Sequence, residues 1–353
     1  MFPLDFPLSI LKRRARKGDI VLDPFCGRGT TNFAARLVGL HSVGVDASPV
    51  AGAIAAAKLV AVTVGDILTE AQQILGEEKA RHVPQGEFWQ VAFYPDVLDA
   101  ICRWREALLG DCSTAPRIAL RGIILGALHG PKQKTFPSYF SNQSPRTFAP
   151  KPTYAVRYWR DRGLIPEPMD VLEVIARRAN RYYGATPDGP LSHVTGVVRI
   201  ADSRVAGTLD PEISNTRFNW VITSPPYYGM RTYIPDQWLR HWFVGGPNYV
   251  EYASCDQMVH SSPTDFTNDL RQVWWNTAEA CADDATMVIR FGGISDRRVN
   301  PLEIVKRSLV NSGWRIKTIC GAGSAMAGKR QANAFLQVRT RAMTEYDLWL
   351  KRN

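Results

Sequence analysis

Residues Thr223-Ser224-Pro225-Pro226-Tyr227-Tyr228-Gly229-Met230 follow the apolar run Trp220-Val221-Ile222, which has the composition of a buried strand. Two consecutive prolines have no N–H to give a sheet ladder, so the strand stops at them. Proline also fixes φ, and Ser224-Pro225-Pro226 therefore presents its carbonyls in a stiff arc beside a hydroxyl. Tyr227 and Tyr228 add flat aromatic faces. Such a set accepts hydrogen bonds and stacks on a planar group, and it asks for no metal or strong general base. The same residues would also make a plain Pro-Pro turn whose tyrosines cap the core. The elements around them decide.

Residues 19–23 form a short apolar strand pattern that runs into Pro24-Phe25-Cys26-Gly27-Arg28-Gly29-Thr30-Thr31 and then a helical pattern over 32–38. Strand, glycine turn and helix open a doubly wound α/β domain. A second strand, 42–46, ends in Asp46, and an Ala-rich helix follows over 51–59. Glycines let a ligand approach the backbone, and an acid at the tip of the second strand is placed to accept from both hydroxyls of a ribose. The third glycine of a dinucleotide fingerprint is replaced by Asn32, and no P-loop is present. By itself the segment indicates a nucleoside-type ligand or a purely structural βαβ unit.

Asp23-Pro24-Phe25-Cys26-Gly27-Arg28-Gly29-Thr30-Thr31, followed by Ser42-Val43-Gly44-Val45-Asp46 and later by Ser224-Pro225-Pro226-Tyr227, resembles the motif set of the DNA amino-methyltransferase family. The resemblance covers residues 1–59 and 197–341. It implies S-adenosylmethionine as cofactor, with Asp46 on the ribose, Gly27 and Gly29 beside the methionine and ribose, and Asp23, Phe25, Cys26 and Thr30 close by. Phe2 and Pro3 look like the short cofactor-contacting segment before the first strand. An acid ahead of the proline strand accepts from the cofactor's adenine amino group. Asp202, at the tip of a strand pattern over 197–204, is the candidate, one β-loop-β step before Ser224, with Asp66 the competitor.

An exocyclic amino group is a poor nucleophile, because its lone pair is delocalised into the base. Acceptors that grip both N–H bonds draw the nitrogen towards tetrahedral geometry. Ser224 and the Pro225 carbonyl take that role by resemblance, Pro226 stiffens the arc, and Tyr227 stacks on a base that has left the duplex. The expected activity is methylation of a flipped DNA base, with cytosine N4 favoured by serine as first motif residue, within restriction-modification or defence. The alternatives are adenine N6 methylation, methylation of an RNA base, and a non-catalytic cofactor-binding subunit that binds DNA.

The net charge of +10 suits a polyanionic partner. It is unevenly placed: residues 112–160 hold no Asp or Glu among their Arg and Lys. Lys132, Lys134, Arg146 and Lys151, interleaved with aromatics, are candidate DNA contacts within an expected ordered loop. Arg177, Arg178 and Arg181 lie on or near one face of a helix over 170–183. Tyr228, Arg231 and Gln237 are further substrate candidates, in or near an aromatic segment, 233–243, expected to border the base pocket. Many members of the family carry the two motifs in the opposite order, so the target-recognition element is sought in the stretch between them.

The expectation is a class I, Rossmann-like methyltransferase: an α/β fold with a mixed seven-stranded sheet and a large, mainly helical insertion. Residues 1–60 and 190–353 form the catalytic domain, and 61–189 the insertion and candidate DNA-recognition element. Further helices are expected over 88–109, 116–128, 265–281 and 301–312, and strands over 285–293, 314–320 and 335–341, with a mobile glycine-rich loop at 321–330. The six cysteines form no CxxC pair, which argues against zinc or a disulfide framework and suits a reducing cytoplasm. No run reaches the roughly 20 apolar residues of a membrane span, and the first residues lack a signal-peptide layout. Double-stranded DNA is the expected partner, with a cognate restriction endonuclease or defence component beside it.

Overall fold

The computed structural model describes residues 2–130, 137–141, 151–184, 196–211, 216–229, 233–251, 258, 262–293, 300–324 and 344–353. Two units emerge from internal contacts. One comprises Met1–Ala55, Pro190–Arg231 and Cys255–Asn353; the other comprises Ala56–Gly189 and Thr232–Ser254.

Among the described residues, seven strands build the first unit: β1 (Ile20–Asp23), β2 (His41–Asp46), β3 (Gly196–Ile200), β4 (Phe218–Thr223), β5 (Cys281–Phe291), β6 (Trp314–Ser324) and β7 (Thr344–Arg352). Their order is β3-β2-β1-β4-β5-β7-β6. Strands β1 to β5 are parallel, and β7 runs antiparallel between β5 and β6. Every residue of β1 is buried, as a parallel sheet covered on both faces requires.

Alternation of side chains sorts the two cores. Leu22, Val43, Val221 and Met287 share one face with Phe266 and Trp274 of helix Pro263–Ala280 and Ile304 and Val305 of helix Pro301–Ser308. Val21, Trp220, Ile222 and Val288 share the other with Phe6 and Leu11 of helix Asp5–Arg14 and Ala34 of helix Thr30–Leu37. Chain order reverses between β1 and β4, so a crevice opens beyond their carboxyl ends, where doubly wound sheets bind ligands.

Several boundaries differ from those read in the sequence. The helix expected over 265–281 starts earlier, with Ser262 as its cap accepting from Asp265 N at 3.3 Å, and it gives way to β5 at Cys281. The helix expected to reach 312 ends at Ser308, because Asn311 (φ 56°) and Gly313 (φ 80°) turn the chain left-handed into β6. Residues Gly321 to Ser324, expected in a mobile loop, continue β6 as an antiparallel partner of β7. The strand expected at 335–341 lies outside the described residues; the one that pairs with β5 and β6 is β7.

The second unit is helical: Val64–Gly76, Glu87–Ala92, Pro95–Gly110, Ala115–Ala127, Pro152–Arg160, Val171–Tyr183, Tyr233–Asp236 and Trp238–Phe243 among the described residues. One helix expected over 88–109 is two, since Pro95 takes the first position of a new helix. The core of this unit is aromatic. Trp89, Trp104, Phe140, Trp159, Trp238 and Trp242 are buried, with the Phe88 and Trp238 rings 4.8 Å apart. No helix among the described residues is long and apolar enough to cross a membrane.

Candidate functional site

The glycine turn and the proline arc meet at the switch point of the first unit. Asp23, the last residue of β1, is buried. Its Oδ1 accepts from Thr223 Oγ1, the last residue of β4, at 2.6 Å and from Phe25 N at 3.1 Å. Thr31 Oγ1, at the start of the following helix, donates to the Ile222 carbonyl at 2.9 Å. The two strand ends are therefore pinned together just before Ser224. Thr223 and Thr31 lie within the two motif stretches, but nothing in the sequence assigns them this pinning role.

Burial pushes the Asp23 carboxyl from 3.8 up to about 6; hydrogen bonds from Thr223, Thr31 and Phe25 N oppose the rise, and the charge of Asp46 adds to it. The folded state therefore holds this proton more tightly than the unfolded chain. The stability Asp23 contributes is full below the ordinary carboxylate value and is lost as pH rises through about 6. Asp23→Asn keeps an acceptor for Thr223 and removes the titration. Between pH 4 and pH 7 the unfolding free energy of Asp23→Asn should gain on wild type by about 2 kcal/mol. Parallel pH profiles from denaturant titration would contradict this.

The turn itself is shaped for a ligand at the backbone. Gly27 and Gly29 have φ of 50° and 70°, a region that side chains disfavour. Gly29 N donates to Cys26 O at 2.7 Å, and Cys26 N to Val45 O at 3.0 Å, so the turn is tied to β2. Asp46, at the tip of β2, accepts from Gly27 N through Oδ2 at 2.9 Å and from Ser48 N through Oδ1 at 2.8 Å. Each oxygen keeps a lone pair for one hydroxyl of a diol. Burial raises the Asp46 carboxyl, and the Ser48 and Gly27 N–H groups counter it.

Asp202 lies just beyond β3, the neighbour of β2. Burial pushes its carboxyl up, but the hydrogen bonds and charge of Arg204 outweigh this and hold it below the usual range. Arg204 grips it through Nε (2.9 Å to Oδ2) and Nη2 (2.6 Å), and its Nη1 reaches Asp269 at 3.0 Å. Next to it, Ser203 Oγ donates to Pro24 O at 2.7 Å and joins the β3 turn to the glycine turn. The competing acid, Asp66, is in the other unit, where it closes a capping box with Thr63.

Beyond β4, Ser224 is half-buried and Pro225 buried. Tyr227 sets its ring edge-on to Phe291 at 5.6 Å, and its hydroxyl donates to Glu345 Oε1. Tyr228 packs edge-on to Phe266 at 5.5 Å, and Phe25 meets Trp274 at 5.9 Å. Thr30 opens the helix after the turn.

Phe2 is buried in the second core against Phe6, 5.1 Å away, while Pro3 is exposed and its carbonyl accepts from Phe6 N. In the other unit, Gln237 is buried, and its Oε1 accepts from Arg240 Nη1 at 2.8 Å. Of the segment expected to border a base pocket, Trp238, Leu239, Trp242 and Phe243 are buried. Lys151 is exposed at the start of helix Pro152–Arg160. Arg178 is buried, donates to Ser138 O at 2.8 Å and covers the Tyr139 ring, so it serves the core. Lys132, Lys134, Arg146 and Arg231 lie outside the described residues.

Sheet order, glycine turn and ribose-type acid together define a class I methyltransferase fold whose cofactor is S-adenosylmethionine. The cradle fits that group: paired N–H donors orient the Asp46 carboxylate and Gly27 leaves the turn open, while Gly29 makes room for Ala55, whose Cβ a side chain there would meet at 2.8 Å. Residues 1–56 match the family described as DNA methylase (N6_N4_Mtase). Type II methyltransferase M.BsoBI of Geobacillus stearothermophilus is 50% identical over 34 residues, 10% of this chain and 7% of that protein. Type II methyltransferase M.MjaII of Methanocaldococcus jannaschii is 47% identical over 49 residues, 14% of this chain and 9% of that protein. The likeness to DNA amino-methyltransferases is thus confined to the amino-terminal segment, and the matches span under a tenth of either relative.

Among solved structures, TrmN from Thermus thermophilus aligns with a TM-score of 0.37 at 10% identity, covering 100% of this chain and 49% of that one. The rRNA methyltransferase aviRa from Streptomyces viridochromogenes gives 0.33 at 13% identity, over 98% and 85%. The fold class rests on the order and direction of the strands described above.

Proposed function

We propose that the protein methylates the exocyclic amino group of a base flipped out of double-stranded DNA, with cytosine N4 as the target. The observation that carries this is the Thr223–Asp23 bond, which fixes the start of the Ser224-Pro225-Pro226-Tyr227 arc against the cofactor turn. When bound, S-adenosylmethionine supplies an electrophilic methyl group.

Asp46 accepts from the two ribose hydroxyls, Gly27 admits the cofactor to the backbone, and Gly29 lets the turn pack against Ala55 beside it. Phe25, Cys26 and Thr30 line the turn, and Phe2 and Pro3 stay as candidates on the approach to it. Asp202 accepts from the adenine amino group with the lone pairs that Arg204 leaves. Ser224 Oγ and the Pro225 carbonyl accept from the two N–H bonds of the base, so its nitrogen lone pair faces the methyl. Once the nitrogen had taken the methyl in exchange for the sulfur, Ser224 Oγ and the Pro225 carbonyl would lead the surplus amino proton away to water. Tyr227 stacks on the extruded base and helps offset the cost of flipping it.

Serine as the first residue of the arc supports cytosine over adenine. The basic surplus of the chain supports a DNA substrate, with Lys151, Lys132, Lys134 and Arg146 as its proposed contacts and Tyr228, Arg231 and Gln237 as further substrate candidates. The likeness to two type II methyltransferases supports a self-marking role, and a cognate endonuclease and a cytoplasmic setting are part of the same proposal. Tritiated S-adenosylmethionine offered with duplex DNA and with tRNA tests the substrate, and nucleoside mass analysis identifies the atom class. Label in DNA as N4-methylcytosine is expected. Label confined to tRNA overturns the DNA substrate, and N6-methyladenine overturns the cytosine assignment.

A further inference from the structure

Glu345 is 4% exposed at the start of β7. A carboxylate out of water costs several kcal/mol unless hydrogen bonds compensate it, so a residue of this kind on a core strand calls for a reason. Its Oε1 accepts the phenolic hydrogen of Tyr227. Three strand ends meet around that bond: the arc after β4, Phe291 of β5 packing edge-on against the Tyr227 ring, and the first turn of β7.

Gly292, directly after β5, makes room for the contact. A Cβ there would lie 2.9 Å from Glu345 Cγ and 3.6 Å from Tyr227 Cζ, so a larger residue would push the carboxylate or the phenol away. The ring is thus held at its edge by Phe291 and at its tip by Glu345. An aromatic face that receives a flipped base must hold its angle, since a misplacement of the amino nitrogen by about 1 Å can cost about 100-fold in rate.

We infer that Glu345 is a positioning residue for base methylation, acting through the Tyr227 hydroxyl to set the ring against which the flipped base stacks. The inference rests on the methyltransferase reading above. It gives the carboxyl-terminal strand a share in the reaction, although none of the motif residues lies on it.

Tyr227→Phe and Glu345→Leu both break the bond, whereas Glu345→Gln keeps an acceptor at the same place. Single-turnover transfer to duplex DNA should fall about tenfold or more in the first two and be largely restored in the third. Cofactor affinity and DNA KM should stay within about twofold of wild type, and the Tyr227→Phe/Glu345→Leu double variant should be no slower than either single. A Tyr227→Phe variant with the wild-type rate overturns the inference whether or not Glu345→Leu folds. So does a Glu345→Gln variant as slow as Glu345→Leu, or a loss that falls on cofactor affinity instead of the transfer step. If wild type labels neither DNA nor tRNA, the methyltransferase reading itself fails and takes the inference with it.

Discussion

Asp46→Ala should abolish methyl transfer by removing the cofactor, with S-adenosylmethionine binding weakened about 100-fold or more in a calorimetric titration. Two hydroxyl hydrogen bonds to a charged acceptor are lost, each worth about 1.5–3 kcal/mol. The glycine turn also loses an anchor, because Gly27 N and Ser48 N donate to the same carboxylate. Asp46→Asn separates these effects. It keeps the size of the side chain but turns one acceptor into a donor, which then faces either Gly27 N–H or Ser48 N–H. It should therefore bind cofactor almost as poorly as alanine. Burial raises this carboxyl, so wild-type affinity should decline on acidification at a higher pH than a solvent-exposed aspartate would give. Cofactor affinity unchanged in Asp46→Ala would remove the ribose from this acid.

Ser224→Ala and Tyr227→Ala should show the converse: cofactor binding intact and transfer lost. Deleting one group that meets charge developing at the reacting atom costs roughly 100- to 1,000-fold in rate, and Ser224 Oγ is one of two acceptors proposed for the amino group. Tyr227→Ala removes a stacking surface worth about 1–3 kcal/mol per base. Its defect should shrink when the target base is mismatched, since an unpaired base is less costly to extrude. The Ser224→Ala defect should be the same on paired and mismatched DNA. A mismatch that rescues both variants equally would place Ser224 in base extrusion, and one that rescues neither would leave Tyr227 without a stacking role.

Much of the first unit was legible because buried parallel strands are nearly continuous apolar runs with a punctuating turn. Ile20–Asp23 with its glycines, His41–Asp46 and Phe218–Thr223 all read in that way. β7 did not. Its apolar residues alternate with Glu345, Asp347 and Lys351, and the charge at Asp347 makes sense only across the sheet, where Arg290 of β5 grips it through two contacts of 2.7 Å.

The glycine-rich end of β6 read as a loop for a similar reason, since antiparallel pairing with β7 supplies the order that its composition lacks. At the site, residue types were visible and partnerships were not. Nothing local tells Thr223 that Asp23 will accept its hydroxyl hydrogen, or places Glu345 against Tyr227. In the second unit, the aromatics after the proline arc carried no label distinguishing a pocket wall from a core, and Trp238 and Trp242 are buried.

The two units are interleaved along the chain, and synthesis on the ribosome must respect that. β1 and β2 emerge early and can pair at once, yet the partners that flank them, β4 and β3, follow only after residues 56–189. At about 5–20 residues per second the pair waits roughly 7–27 s with both edges open. The helical unit is no better placed, because Trp238 and Trp242 of its core arrive only after β4 has been made. Each half is thus completed by a segment that follows part of the other, and the nascent chain passes through a long interval of unsealed strand edges, the state in which helper chaperones have most to protect.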